Sequence, residues 1–487
     1  MQRQQTIGVL TPFLGGNYYS EIIQNIHKIA NQLNVNLIIV RTGGKYYNVP
    51  IAMNRVDGWI VINVAVEDHF LKQMEERYQK PIIAIAKDIR KLKMSSGMVC
   101  ADNKRAAYEA VKHLYQHGHR NIGYIGSSDY MDDMHYRYLG YLEAMKDLGL
   151  EVKPSYLYDV GDMTVFGGKK TAELIIADGF PITAAVVCTD MCGFGIVEKL
   201  MEKGYRVPEH FALIGFDNSS TARHSIVPIS SIEQNLETIV QRAMEKLLLR
   251  IEDSGRGFEM DVLPFRMFMR QSCGCSNNEQ EKLQEQSDVS EYANHINALR
   301  TENNVNYEFN RYILGYQFKK IQDLSLLLEN YFNWGAIMRQ HGYTTNKEPK
   351  LTIHDFYHFE KGSSEFHDMY ELRYETLHNN PPAFEVEGSS DDNEVVYILP
   401  YRLTQNNWSL LSFGTSSEKT LTRSTDYLRI VHLFDIISNT FDRIALLDES
   451  ASLNQQHQAL KERNEVYNRL TDDILFEIDF SQKKPFL

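Results

Sequence analysis

Phe211-Ala212-Leu213-Ile214-Gly215-Phe216-Asp217 is an apolar run that ends in a glycine, an aromatic ring and a carboxylate. A short run without polar positions suits a strand covered on both faces. In open α/β sheets, ligands sit beyond the carboxyl ends of the strands. Upstream, Ile196 to Lys203 has an amphipathic helical pattern closed by Gly204, which fits a C-cap and a return into the strand. The stretch therefore predicts a buried parallel strand that delivers Asp217 to a cleft.

Outward from it, strand and helix patterns alternate with short connections. Ile7 to Leu10 reads as a strand, Ser20 to Gln32 as a helix carrying Ile22, Ile23, Ile26 and Ile29, and Leu37 to Val40 as the next strand. A further helix is expected before the strand Val56 to Ile62, and Pro81 to Ile85 follows. The pattern then restarts with a helix from Asn103 to His117, a strand from Asn121 to Gly126 and a helix from Arg137 to Leu148. Ala184 to Cys188, Gly195 to Lys203 and the quoted stretch complete it, and Leu236 to Glu252 reads as a long closing helix. Such alternation is the βαβ pattern of a doubly wound sheet, here in two halves with a cleft between them.

An ordered series of short motifs carries a resemblance. It runs through Ile7-Gly8-Val9-Leu10, Val56-Asp57-Gly58, Ala101-Asp102-Asn103, His113-Leu114, Gly118-His119-Arg120-Asn121-Ile122, Arg137 to Tyr141 and Thr189-Asp190. It continues through Val207-Pro208, Gly215-Phe216-Asp217, Ser230 to Gln234 and Arg270-Gln271-Ser272-Cys273-Gly274. Residues 6 to about 274 resemble the effector-binding core of the LacI/GalR regulators, a type I periplasmic-binding-protein-like fold. The resemblance implies a small polar effector such as a sugar or purine, held between two hinged lobes. By motif position Arg137 and Asp217 correspond to the family's main polar contacts. An arginine forks to hydroxyls or a carboxylate, and an aspartate accepts from hydroxyls or an amine. Phe13 and Tyr18 follow the first strand and can stack on a ring. Thr189 stands where many members carry asparagine. Asp102 and Asp190 are expected to support the cleft by capping adjacent helices.

The family places a helix-turn-helix module ahead of the first strand, whereas five residues precede Thr6 here. A formal net charge of -13 and a pI near 5.7 offer no general positive field. DNA is accordingly not expected as a partner of this chain alone.

The 487 residues argue for more than one domain. The organisation expected is a sensor over 1–274, a helical linker over 275–323, an α+β region over 324–445, an exit helix over 446–473 and a further segment over 474–487. Leu324 to Gln340 reads as an apolar helix; Leu351 to Phe356, Val395 to Pro400 and Trp408 to Gly414 read as antiparallel strands, with a hairpin signal at Gly388 to Asn393. That pattern is similar to a GAF-type sensor. Ile430, Leu433, Ile437, Phe441 and Ile444 form one stripe, and Leu446, Leu453, Leu460 and Tyr467 recur at intervals of seven, which suits a parallel coiled coil and a homodimer. Leu470 to Phe480 resembles the opening of a PAS domain. The expected fold class is thus α/β, a two-lobed core of doubly wound parallel sheets, then a smaller α+β GAF-like domain flanked by long helices.

No catalytic constellation emerges, so no enzyme is expected, and no cofactor or metal. His113 and His117 lack the central glutamate of a His-Glu-x-x-His protease and read as packing and capping residues. Cys273-x-Cys275 reads as free thiols, and five irregularly placed cysteines suit a reducing compartment. No window of 18 apolar residues predicts a membrane span. The reading is a cytoplasmic, homodimeric signalling regulator that closes on an effector and transmits closure through dimer helices. Two alternatives stay open. One is a LacI/GalR-type transcriptional regulator acting on DNA directly or through a partner; the other is the sensory part of a diguanylate cyclase or histidine kinase.

Overall fold

The computed structural model describes residues 4–15, 17–43, 51–127, 131–161, 163–253 and 255–276, six strands between 334 and 416, and helical residues 457–458 and 460–462. The first lobe opens with β1 (Thr6–Thr11), α1 (Asn17–Leu33), β2 (Asn36–Arg41), β3 (Gly58–Ile62), α2 (Asp68–Tyr78), β4 (Ile82–Ile85) and β5 (Gly97–Ala101). The chain crosses at Asp102 into the second lobe. There it forms α3 (Asn103–Gln116), β6 (Ile122–Ile125), α4 (Asp132–Asp147), β7 (Leu157–Tyr158), α5 (Val165–Ala177) and β8 (Ala184–Val187). It goes on through α6 (Asp190–Glu202), β9 (Ala212–Phe216), α7 (Ser220–His224) and β10 (Ser230–Glu233). A second crossing leads to α8 (Leu236–Glu252) and β11 (Met260–Leu263) on the first lobe, and a third returns to β12 (Arg266–Phe268) on the second.

The first-lobe strands lie in the order β11-β5-β4-β3-β1-β2, all parallel to their neighbours. Those of the second lie in the order β12-β10-β9-β8-β6-β7, parallel except for β12. Three crossings between two sheets make the geometry of a hinge, and the cleft lies where β9 ends.

Burial follows the sequence periods. Leu236, Ile239, Val240, Ala243, Met244 and Leu247 repeat at helical spacing on α8 and are buried with Ile22, Ile23, Ile26 and Ala30 of α1 against one face of the first sheet. Phe70, Leu71 and Met74 of α2 cover the other face with Trp59. Each Leu, Ile, Val, Met or Phe among them contributes roughly 1.5–3 kcal/mol when fully buried. In the second lobe α3 and α4 touch at Gly140, where an added Cβ overlaps the Lys104 carbonyl oxygen.

Several elements differ from expectation. Helix α4 starts at Asp132 and α6 at Asp190, each five residues before the apolar period becomes visible. Acidic residues in a first helical turn complement the helix dipole without showing in a hydrophobic pattern. The helix expected before β3 is, at residues 51–55, a turn.

The later strands are β13 (Trp334–Tyr343), β14 (Lys350–Glu360), β15 (Ser363–His367), β16 (Tyr370–Arg373), β17 (Glu394–Thr404) and β18 (Asn407–Ser416). Their antiparallel pairing matches the strand expectation. The helix expected to run to Gln340 gives way to β13, which is bonded on both sides from Trp334 to Arg339. Tertiary pairing overrides the local helical pattern there. Nor do these strands form a GAF-like domain of their own: β17 pairs parallel with β2, Val395↔Leu37 through Ile398↔Val40, so they continue the first-lobe sheet. The hairpin signal at Gly388 to Asn393, most of the linker and coiled-coil segments, and the PAS-like segment lie outside the described residues.

Candidate functional site

Strand β9 brings Phe216 into the core and leaves the sheet through two residues with positive φ, Asp217 (98°) and Asn218 (48°). Side chains rarely adopt that conformation unless neighbours hold them there. Here the Asp217 amide donates to the Ile232 carbonyl (2.8 Å), and the Asn218 amide to Ser231 Oγ (2.9 Å). Asn218 Oδ1 accepts from Arg270 Nη2 (2.7 Å), whose Nη1 donates to the Ile229 carbonyl (2.8 Å). The turn holds Asp217 on the cleft wall, with one carboxylate oxygen accepting from Gln234 Nε2 (3.1 Å).

Asp190 lies beneath it. It accepts from the Ser219 amide (2.7 Å) and from Ser231 Oγ (2.6 Å), and Gly215 leaves the space its carboxylate occupies. The capping role expected of Asp190 falls to Thr189, whose Oγ1 accepts from the Cys192 amide (3.3 Å) and donates to the Met163 carbonyl (3.1 Å). Asp190 occupies the first helical position, so its side chain reaches across to the loop after β9 instead. Asp102 does cap α3, accepting from the Arg105 amide (3.0 Å). It is not among the cavity-lining residues.

Arg137 on α4 is 2% exposed and lies over the Phe216 ring, 4.0 Å from guanidinium carbon to centroid. Its Nε donates to Asn103 Oδ1 (2.8 Å) and its Nη1 to the Cys188 carbonyl (2.5 Å). Part of the expected fork is thus engaged by the protein. One turn earlier on the same face, Asp133 accepts from Asn103 Nδ2 (3.2 Å) and from the Tyr18 hydroxyl of the first lobe.

These groups surround a cavity of about 630 Å³ between the lobes. Phe13, Tyr18, Thr189, Arg137 and Asp217 all line it, as does Asp190. Asp133, Tyr19 and Asn63 line it as well and escaped the sequence reading. Asp133 was readable as a carboxylate four positions before Arg137 on one helix face. Tyr19 packs edge-on against both Phe13 (5.5 Å) and Tyr18 (5.2 Å), a cluster that the closely spaced aromatic residues between β1 and the first turn of α1 foreshadow. The lobes also touch across the cleft: Asp132 accepts from the Asp88 amide (2.8 Å), and Tyr136 donates to Asp88 Oδ2 (2.5 Å).

The three carboxyls on the cavity wall are all raised from their ordinary range, with burial of each side chain as the largest cause. Burial pushes the Asp190 carboxyl up to about 8, with Asp217 adding repulsion. Burial pushes Asp133 up to about 7, opposed by Arg137. Asp217 is raised by burial and lowered in part by Arg137 and by the Gln234 hydrogen bond. Carboxyls clustered on aromatic walls suit a ligand rich in hydroxyl or amino donors.

This two-lobed unit has a periplasmic-binding-protein-like fold and is similar to the effector domains of LacI/GalR-type regulators. Residues 111–273 match the family described as periplasmic binding protein-like domain. The chain is 28% identical over 273 residues, 55% of its length, to the HTH-type transcriptional repressor CytR of Escherichia coli (strain K12), covering 79% of that protein. To the HTH-type transcriptional repressor PurR of Mannheimia succiniciproducens it is 26% identical over 252 residues, 51% of this chain and 75% of the relative. The crystal structure of transcription regulator CcpA of Lactococcus lactis superposes with a TM-score of 0.50 at 24% identity, over 55% of this chain and 99% of that one, and shows the shared fold. Both of these relatives, CytR and PurR, are named as transcriptional repressors. Among the described residues, no helix is long and apolar enough to cross a membrane.

Proposed function

We propose that the chain is a cytoplasmic, homodimeric transcriptional regulator of the LacI/GalR type, acting on DNA directly or through a partner, that is switched by a small polar effector bearing several hydroxyl or amino groups. The observation that carries this reading is the convergence of Asp217, Asp133 and Arg137 from the second lobe with Phe13, Tyr18 and Tyr19 from the first around one cavity. Asp217 and Asp133 accept from the effector's donors, the free edge of the Arg137 guanidinium donates to an oxygen, and the aromatic rings cover the apolar face of a sugar or base. The repressor relatives favour this reading over a kinase or cyclase sensor.

The effector acts by binding the closed arrangement more tightly than the open one, which is all a ligand needs to shift a population. The contacts of Asp132 and Tyr136 with Asp88 belong to the closed arrangement and break when the lobes part. Closure turns the second lobe about the three crossings.

The test is a thermal-shift screen of monosaccharides, amino sugars and nucleosides, followed by calorimetric titration of the hit. Asp217→Ala is expected to weaken binding at least tenfold, since a hydrogen bond to a charged group is worth about 1.5–3 kcal/mol. Its melting temperature should stay close to that of the unsubstituted protein. Undiminished affinity sinks the reading. A salt-dependent gel shift with and without the hit then separates direct DNA binding from action through a partner.

A further inference from the structure

Away from the cleft, two residue pairs separated by some 160 positions meet on the second lobe. His113 and His117 lie one turn apart at the end of α3, ring centroids 4.7 Å apart. Cys273 closes the 3-10 turn Gln271–Cys273, and Cys275 follows after Gly274. Read alone, the cysteines lack a partner pair; the fold supplies one in the histidines. Cys273 Sγ lies 3.3 Å from His113 Nε2, and Cys275 Sγ lies 3.5 Å from His113 Nε2 and 3.4 Å from His117 Nε2. One donor atom from each of the four residues falls within 4.8 Å of all the others.

We infer that His113, His117, Cys273 and Cys275 form a tetrahedral structural site for a zinc-like divalent cation. Bond lengths of about 2.3 Å to sulfur and about 2.0 Å to nitrogen at a tetrahedral angle put sulfur and nitrogen roughly 3.6 Å apart, close to the separations here. Two thiolates and two imidazoles without a carboxylate select zinc over magnesium or calcium. Four protein ligands leave no open position, which makes the site structural.

The local backbone serves the same end. Gly274 has a φ of +94°, and its missing side chain leaves room for the His117 ring, 3.3 Å from where a Cβ would stand. That turn sends both sulfurs to one side. Each sulfur would bind as a thiolate with its proton passing to solvent, so metal entry involves no redox change. The site ties residues 273–275 to the end of α3.

The test uses the full chain, purified under reducing conditions without chelator, and zinc and cobalt ions as probes. Elemental analysis after zinc loading should find one zinc per chain. Cobalt substitution should give tetrahedral d-d bands and a thiolate-to-cobalt charge-transfer band. Cys275→Ser and His117→Ala, both at partly or fully exposed positions, should lose the metal while keeping the far-ultraviolet dichroism of the parent. Chelation should lower the melting temperature of the parent and leave the variants' unchanged. Substoichiometric zinc in the reduced parent, a cobalt spectrum without thiolate charge transfer, or full metal retention by Cys275→Ser overturns the site. So does a protein isolated with a Cys273–Cys275 disulfide that takes up no metal after reduction.

Discussion

Asp217, Asp190 and Asp133 show how single residues set the character of the cleft. Buried carboxyls with folded values near 8 for Asp190 and 7 for Asp133 hold protons that the unfolded chain has released above about 4. Stability from that source is complete at acid pH and is lost as pH rises through the folded values, by up to about 1.4 kcal/mol per unit for each group. Buried His27 opposes it lower down: burial depresses its value from 6.5 to about 3, so the unfolded state binds the extra proton between those limits. Above pH 6.5 His27 is neutral in both states, and the carboxyl effect stands alone. The ligand-free protein is therefore expected to lose melting temperature between pH 6.5 and 8, with Asp190→Asn flattening the decline. Equal slopes for the two proteins would remove the buried-carboxyl account. Arg137 and Asp217 were legible because each falls in a motif of the family resemblance, and Asp217 also follows the apolar run of β9. Asp133 was overlooked because a hydrophobic period says nothing about a polar first turn; its spacing of four from Arg137 is visible in the sequence, but its meeting with Tyr18 comes only from the fold.

Among elements, the contact of α3 with α4 decides where the polar cluster stands, since α4 carries both Asp133 and Arg137 while α3 starts with Asn103 between them. The two helices approach until only a glycine fits at position 140, where an added methyl meets backbone, which cannot rotate away. Gly140→Ala is expected to cost about 1–3 kcal/mol, the usual range for overpacking, and to weaken effector binding by shifting α4. Gly257→Ala, where an added methyl meets open space, serves as the control and should leave affinity unchanged. Chemical denaturation and titration of both variants measure this; a silent Gly140→Ala would mean the helices do not approach so closely. Alternating apolar runs made most of these elements readable, and α8 has the limits its pattern predicts. Strand β13 was not readable: Trp334 to Arg339 has helix-compatible residues, and what makes it a strand is hydrogen bonding to β14, the next strand, and to β18, which is far away in sequence.

At the scale of the molecule, one sheet of twelve strands runs from β11 through the first lobe and across β2 into the C-terminal strands. Without β17, β2 would present an unpaired edge, and edges of this kind invite pairing. Strand β17 does more than satisfy hydrogen bonds. Val396 and Ile398 are buried on the α2 face of the sheet, and Tyr397 on the α1 face, where its hydroxyl lies 3.2 Å from His27 Nε2. A strand that packs on both faces of its neighbour moves with it, so the closure proposed above would swing the second lobe against a body made of the first lobe and the C-terminal sheet. Tyr397→Phe removes one hydrogen bond and should cost only about 1 kcal/mol. Ile398→Asp buries a carboxylate among apolar side chains without a partner, which costs several kcal/mol and should detach β17. Hydrogen exchange on the full chain, below its melting temperature, then reads the consequence. Amides of β2 from Asn36 to Arg41 should lose protection in Ile398→Asp, while β6, β8 and β9 of the second lobe keep theirs. If β2 stays as protected as in the parent, the two sheets are not continuous, and closure cannot reach the C-terminal strands by this route.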